Sequence, residues 1–224
     1  MKTNFPYLRK QSKSKNVRIE VMADSMRVGK TTTVKVITEG FRRAGKQVTE
    51  SYEDWQHNPF LKKSYSDPSQ NFLESQKWFI KRKWEQIRDG GKGIFIQDVA
   101  PEMDYNYALT NYRLGRMSEE HFLEYDKFYR SLDWRLAPAP DLLVYLQVGD
   151  EELIQRAMDS RREFETVEPD YFLMMKRVNR EWLAGATDEY KILEIDTDKL
   201  DFANDEGAKE RLVEMVVKRL QKKG

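Results

Sequence analysis

Residues 17–33, VRIEVMADSMRVGKTTT, restrict the fold more than any other part of this 224-residue chain. The apolar-rich segment over Val17–Ala23 reads as a buried strand, a tight turn follows, and Gly29-Lys30-Thr31 opens a helix. At such a junction the first backbone N–H groups and the positive end of the helix dipole face outward without partners, which makes a seat for phosphate. Arg27, Val28, Gly29, Lys30, Thr31 and Thr32 would line that seat. Lys30 would reach the β- and γ-phosphates of ATP, and the Thr31 hydroxyl would sit on Mg²⁺.

The pattern G-x-x-x-x-G-K-[ST] is incomplete here. Its first glycine position is Asp24, and Arg27 stands where many nucleotide kinases carry glycine. Asp tolerates left-handed backbone better than most residues but worse than Gly, and it brings a negative charge close to phosphate. Arg27 brings the opposite charge.

The length suits one domain with a single core. The 39 Lys and Arg residues nearly cancel the 38 Asp and Glu, so no global field recruits nucleic acid or a membrane. Cysteine is absent, which removes thiol catalysis and zinc–thiolate sites. His57 and His121 have no ligand-like neighbours, and no apolar run approaches the roughly 18 residues of a transmembrane helix. Residues 1–16 are basic with no apolar stretch of a secretory signal, and they read as a disordered tail, or an arm ordered only by contacts, ahead of a domain over 17–224.

Along the chain, helical spacing of Val34, Ile37 and Phe41 predicts a helix over Lys30–Arg43, stopped by Gly45. Strands are predicted over residues 46–50, 93–97, 141–148 and 191–195. Residues 51–66 read as a loop with at most a helical turn, and Pro68–Arg88 as a long helix ended by Asp89-Gly90-Gly91. Further helices are expected over 104–114, 117–135, 151–162, 169–183 and 208–222. Strands alternating with long helices imply an α/β fold of the P-loop NTPase type, a five-stranded parallel sheet with helices on both faces. Ligands then bind beyond the carboxyl ends of the strands.

Those ends carry the candidate chemistry. Asp98 reads either as the Walker-B-like carboxylate that holds Mg²⁺ or as a cap on a turn. Glu50 reads either as a base for a substrate hydroxyl or as a solvated strand end. Arg156, Arg161 and Arg162 lie on or just past one helix, as a lid over the transferred phosphate or as a basic helix end favoured by the dipole.

The order and spacing of motifs over residues 17–183 resemble the deoxynucleoside kinase family. Glu50 stands five residues before Trp55, Asn58-Pro59-Phe60-Leu61 follows, then Tyr65-Ser66-Asp67-Pro68 and a helix bearing Gln76. Asp98 is followed six residues later by Asp104, and Gly115-Arg116-Met117-Ser118, the Pro140–Leu146 strand and Arg162-Glu163-Phe164-Glu165 complete the likeness. The resemblance implies transfer of the γ-phosphate of ATP to the 5′-hydroxyl of a deoxynucleoside. It makes Glu50 the general base, and Lys30, Arg156 and Arg162 the stabilisers of phosphoryl charge. Trp55 falls among the substrate contacts, Tyr65 and Glu165 bind the 3′-hydroxyl, and Gln76 and Asp104 read the base, with Lys83 where an arginine is usual. Asp104 leans the choice toward a purine or deoxycytidine over thymidine. A homodimer joined through the helices after Pro68 and Asp104 is implied by the same likeness, and soluble cytoplasmic location is the default expectation.

Departures are equally specific. The family's acidic-Arg-Ser triplet reads Asp98-Val99-Ala100, and aromatic positions flanking the base read Ser75 and Ala108, with Tyr107 or Phe72 as substitutes. One lid arginine reads Ser160. Two other functions stay open on these residues: a thymidylate-type kinase acting on a nucleoside monophosphate, and a non-catalytic relative that senses nucleotide or binds a partner.

Overall fold

The computed structural model describes residues 9–10, 16–66, 68–160 and 167–222, the side chains of 65–70 excepted. The order is β1 (Val17–Ala23), α1 (Lys30–Arg43), β2 (Val48–Ser51), a 3₁₀ turn (Trp55–His57), α2 (Leu61–Ser66), α3 (Pro68–Arg88), β3 (Ile94–Asp98) and α4 (Pro101–Arg113). Then come α5 (Glu119–Ser131), β4 (Leu142–Gln147), α6 (Asp150–Asp159), α7 (Pro169–Ala186), β5 (Ile192–Asp196) and α8 (Glu206–Gln221). All five strands are parallel, in the order β2-β3-β1-β4-β5.

Alternation along the central strands explains why both faces are covered. Ile19, Val21 and Ala23 of β1 and Leu142, Val144 and Leu146 of β4 face one core, shared with Val34, Ile37 and Phe41 of α1 and Leu212 and Val216 of α8. The intervening Met22, Leu143 and Tyr145 face a second core with Met103 of α4 and Met175 and Trp182 of α7. A third cluster joins Ile80 of α3 to Tyr105 of α4 and Tyr125 and Tyr129 of α5. Gly40 is the close contact between α1 and α8: a Cβ there would lie 2.5 Å from Val213.

Several boundaries move from those expected. β2 runs two residues later than 46–50 at its start and one later at its end, because pairing with β3 begins at Val48↔Ile94 and closes at Ser51↔Gln97. The stretch 51–66 holds a 3₁₀ turn and α2 rather than a loop. α4 starts at Pro101, three residues before 104, since proline suits the first helical turn and Ala100 is extended. α5 stops at Ser131 and α6 at Asp159, while α7 continues to Ala186.

The basic tail is not wholly outside the fold. Arg9 is buried between β1 and α4, where its guanidinium meets Glu20 and Glu102 and donates to the Pro138 carbonyl at 3.0 Å. Tyr190 donates to the same Glu102 carboxylate at 2.6 Å. Arg18 lies 3.4 Å from Glu20, so two guanidinium groups together offset two carboxylates that share the second face with apolar side chains.

Candidate active site

The turn between β1 and α1 lies at the carboxyl edge of the sheet, where the order reverses around β1. Gly29 has φ +102° and caps α1 without a side chain, leaving the N–H groups of the first turn directed outward. Arg27 has φ +65°, the only positive φ among described non-glycine residues, and it carries the backbone strain of this turn. Asp24 lies outside the left-handed region, so the missing first glycine is not required for backbone conformation. Its carboxylate points away from the anion hollow, onto the Tyr145 hydroxyl at 3.0 Å. Lys30 arches back over the loop and donates to the Ser25 carbonyl at 3.1 Å. Burial pulls its ammonium below the usual lysine range, partly countered by Asp98 and Glu53.

Beyond the loop lies a cleft of ≈ 640 Å³, into which face Arg27, Gly29, Lys30, Thr31, Thr32, Trp55, Gln76, Asp98 and Asp104. These come from the loop, β3, α3, α4 and the 3₁₀ turn, elements far apart in the chain. The Thr31 hydroxyl donates to Asp98 Oδ2 at 2.6 Å. Burial raises the Asp98 carboxyl, and the nearby Lys30 charge opposes that rise. Asp104 is buried 2.9 Å from the ammonium of Lys83, itself buried behind the cleft wall. Burial lifts its carboxyl to about 6, against the pull of Lys83 and with the repulsion of Glu53. Gln76 Oε1 is buried with no hydrogen-bond partner among the described residues.

Glu50 is not in this cleft. It lies within the paired part of β2, opposite Ile96 and 3.6 Å from Arg42 of α1, and its carboxylate is hydrogen-bonded to the Tyr52 phenol, which burial and that charge push up to about 12. The glutamate that does face the cleft is Glu53, 3.9 Å from Lys83. Its placement follows from α3. Gln86 donates to the Tyr52 carbonyl at 3.1 Å, Arg82 pairs with Asp54 at 3.0 Å, and Asn58 donates to Ser75 Oγ at 3.1 Å. Residues 75, 82 and 86 share one helix face, so this face pins the segment on both sides of Glu53. Counting back from Trp55 selects Glu50, and no local spacing separates it from Glu53 three residues on.

Other expectations divide. Tyr107 lines the cleft, while Phe72 packs into the third core cluster and Ala108 is buried there. Val99 is buried in the second cluster and offers the cleft no charge. Arg156 faces away from the cleft: it pairs with Glu152 at 2.6 Å and donates to Thr197 Oγ1 at 2.9 Å. It lines a second cavity of ≈ 580 Å³ on the other side of the loop, with Arg27, Val28, Gly29, Thr32 and Phe202. The Tyr65 side chain, Arg162 and Glu165 lie outside what the structure describes.

The sequence model of the family described as deoxynucleoside kinase matches residues 22–221. The chain belongs to this family. As a member it is a kinase, and its five-stranded parallel sheet is the family's fold. It is 26% identical over 206 residues to a deoxyadenosine/deoxycytidine kinase of Bacillus subtilis, covering 88% of this chain and 91% of that one. A deoxyguanosine kinase of Lactobacillus acidophilus is 28% identical over 190 residues, covering 77% and 80%. The solved structure of deoxyadenosine kinase from M. mycoides with dCMP and a flexible dCDP superposes with a TM-score of 0.72 at 18% identity, over 91% of this kinase and 98% of that chain.

Proposed function

We propose that this kinase moves the γ-phosphate of ATP to the 5′-hydroxyl of a deoxynucleoside. The supporting observation is that the phosphate loop separates two cavities of nucleoside size, one of them lined by the buried carboxylates of Asp98 and Asp104. The acceptor occupies the cleft of Glu53 and Asp104, and the donor nucleoside takes the cavity of Phe202 and Arg156. The triphosphate lies between, on the first turn of α1.

In the transfer, the 5′-oxygen bonds to the γ-phosphorus as the bond to the β–γ bridging oxygen breaks, and ADP leaves. Glu53 accepts the 5′-hydroxyl proton, replacing Glu50 in that role. Lys30 stabilises charge on the phosphoryl oxygens. Arg156 serves the donor side rather than the transferred phosphate, and Arg162, Tyr65 and Glu165 keep the roles the resemblance gives them. Thr31 and Asp98 would hold Mg²⁺ together with the phosphates, which neutralises their charge. Their 2.6 Å pairing suits a site with one carboxylate, and among the described residues no three acidic or histidine side chains form a metal cage.

Base choice follows from the buried acceptors. Gln76 Oε1 and Asp104 want hydrogen-bond donors, which the amino groups of adenine, cytosine and guanine supply and the O4 of thymine does not. Lys83, behind the cleft wall, holds the Asp104 carboxylate at 2.9 Å and fixes it toward the base. The naming of the relatives for deoxyadenosine, deoxycytidine and deoxyguanosine supports the same preference. Cytoplasmic action on small molecules fits the near-neutral charge. α4 is buried over residues 101–106 and 108–111 within one chain, so the surface for a homodimer rests more on α3 than on α4.

The test is a screen of deoxynucleosides and their monophosphates with ATP and Mg²⁺, repeated with Glu53→Gln and Glu50→Gln. Glu53→Gln should lower kcat about 10²–10⁴-fold, with Glu50→Gln within a few-fold of the natural chain. Activity confined to monophosphates, or a loss at Glu50 alone, would overturn the assignment.

A further inference from the structure

Asp24 is the residue of the phosphate loop that the reaction does not use and the motif does not expect. It is wholly buried, one position ahead of Ser25, whose carbonyl accepts from Lys30. Every lone pair of its carboxylate is directed to a donor. Oδ1 accepts from the Tyr145 hydroxyl at 3.0 Å and Arg180 Nε at 2.7 Å; Oδ2 accepts from the Val148 N–H at 3.0 Å and Arg180 Nη2 at 2.7 Å. Arg180 comes from α7 and presents a two-pronged fork, the geometry that both orients and neutralises a carboxylate.

The same helix grips the backbone. Asn179 donates to the Asp24 carbonyl at 3.0 Å and accepts from Asn106 of α4 at 2.8 Å, with Asn106 and Asn179 fully buried. Lys176, one turn earlier, donates to the Val148 carbonyl at 2.6 Å. Residues 176, 179 and 180 form one face of α7, and that face fixes the ends of β1 and β4 together.

We propose that Arg180 is a positioning residue of the phosphate loop, cancelling the Asp24 charge and holding its carboxylate turned away from the anion hollow. A carboxylate at this place faces a bound triphosphate as a like charge across a low-dielectric gap. Tyr145 and Val148 satisfy its hydrogen bonds but carry no counter-charge. Arg180 is the only cation bonded to Asp24 among the described residues, and its side chain is 44% exposed, so water weakens the compensation without replacing it. A glycine at position 24 needs no such partner. This inference rests on reading the turn as a phosphate loop and not on the identity of the acceptor.

The test uses inorganic tripolyphosphate, followed by calorimetry, so that it reads the loop without requiring turnover. Arg180→Met should weaken tripolyphosphate binding at least about tenfold and raise the KM for ATP in parallel, with the KM for deoxynucleoside within about twofold. Asp24→Asn/Arg180→Met, which strands no charge, should return both to within about threefold of the natural chain. Should Arg180→Met not fold, Arg180→Gln keeps a donor for Asp24, removes only the charge, and carries the same expectation. Unchanged tripolyphosphate binding in a folded single variant, with only its melting temperature lowered, overturns the proposal. So does failure of Asp24→Asn to restore binding. A natural chain that binds tripolyphosphate but phosphorylates no nucleoside would overturn the proposed function and leave this inference standing; one that binds none overturns both.

Discussion

The sharpest consequence of the cleft concerns Asp104 and acidity. Burial lifts its carboxyl from the usual 3.8 to about 6, with Lys83 at 2.9 Å opposing the rise. At pH 7.5 nearly all of it is ionised; at pH 5.0 only about one tenth is. An ionised carboxylate accepts from a base amino group, whereas the protonated form turns a donor toward it. Affinity for deoxyadenosine or deoxycytidine should therefore fall about tenfold between pH 7.5 and 5.0. Stability moves oppositely. Between pH 3.8 and 6 the folded chain holds this proton more tightly than the unfolded chain. Stability is then lost as pH rises through that window, by roughly 3 kcal/mol for about two units. Calorimetric titration of the nucleoside at both pH values, with urea unfolding from pH 4 to 7, measures both effects. Asp104→Asn should flatten both profiles. A nucleoside affinity that does not change between pH 5.0 and 7.5 in the natural chain would refute the argument, because it would mean that this carboxylate either never ionises or never meets the base.

Arg9→Met should cost about 3–5 kcal/mol in denaturant unfolding, since it leaves Glu20 and Glu102 buried without their shared cation; an unchanged midpoint would show that the tail contact is dispensable. Gly29→Ala should weaken ATP binding about tenfold through backbone strain at φ +102°, as read by equilibrium dialysis, because Phe202 at 3.7 Å leaves the new methyl room and only the backbone resists. Thr31→Ala should remove most of the Mg²⁺ dependence of ATP affinity and leave the Mg²⁺-independent affinity near its natural value, which titration of ATP with and without the metal tests.

Much of this protein was legible in one dimension. The apolar run Leu142–Leu146 of β4, buried on both faces, already requires helices above and below, and Gly29-Lys30-Thr31 after the β1 strand already has the pattern of a phosphate seat. Gln76 and Asp104, singled out by the family resemblance, both face the cleft because each sits on a regular helix whose period fixes where its side chain points, whereas Lys83 lies behind the wall against Asp104. Glu50 and Glu53 were not separable in that way. They straddle the point where β2 leaves the sheet, and only the pairing of Ser51 with Gln97 and the grip of α3 on residues 52–58 decide which carboxylate turns into the cleft. The basic tail read as detached because the partners of Arg9 lie 11 and 93 positions away, beyond the range of any local pattern. The degenerate loop shows the same division. The sequence by itself determined that position 24 lacks its glycine; tertiary structure alone decided that the intruding charge is harmless, because its counter-ion comes from a helix 156 residues further along.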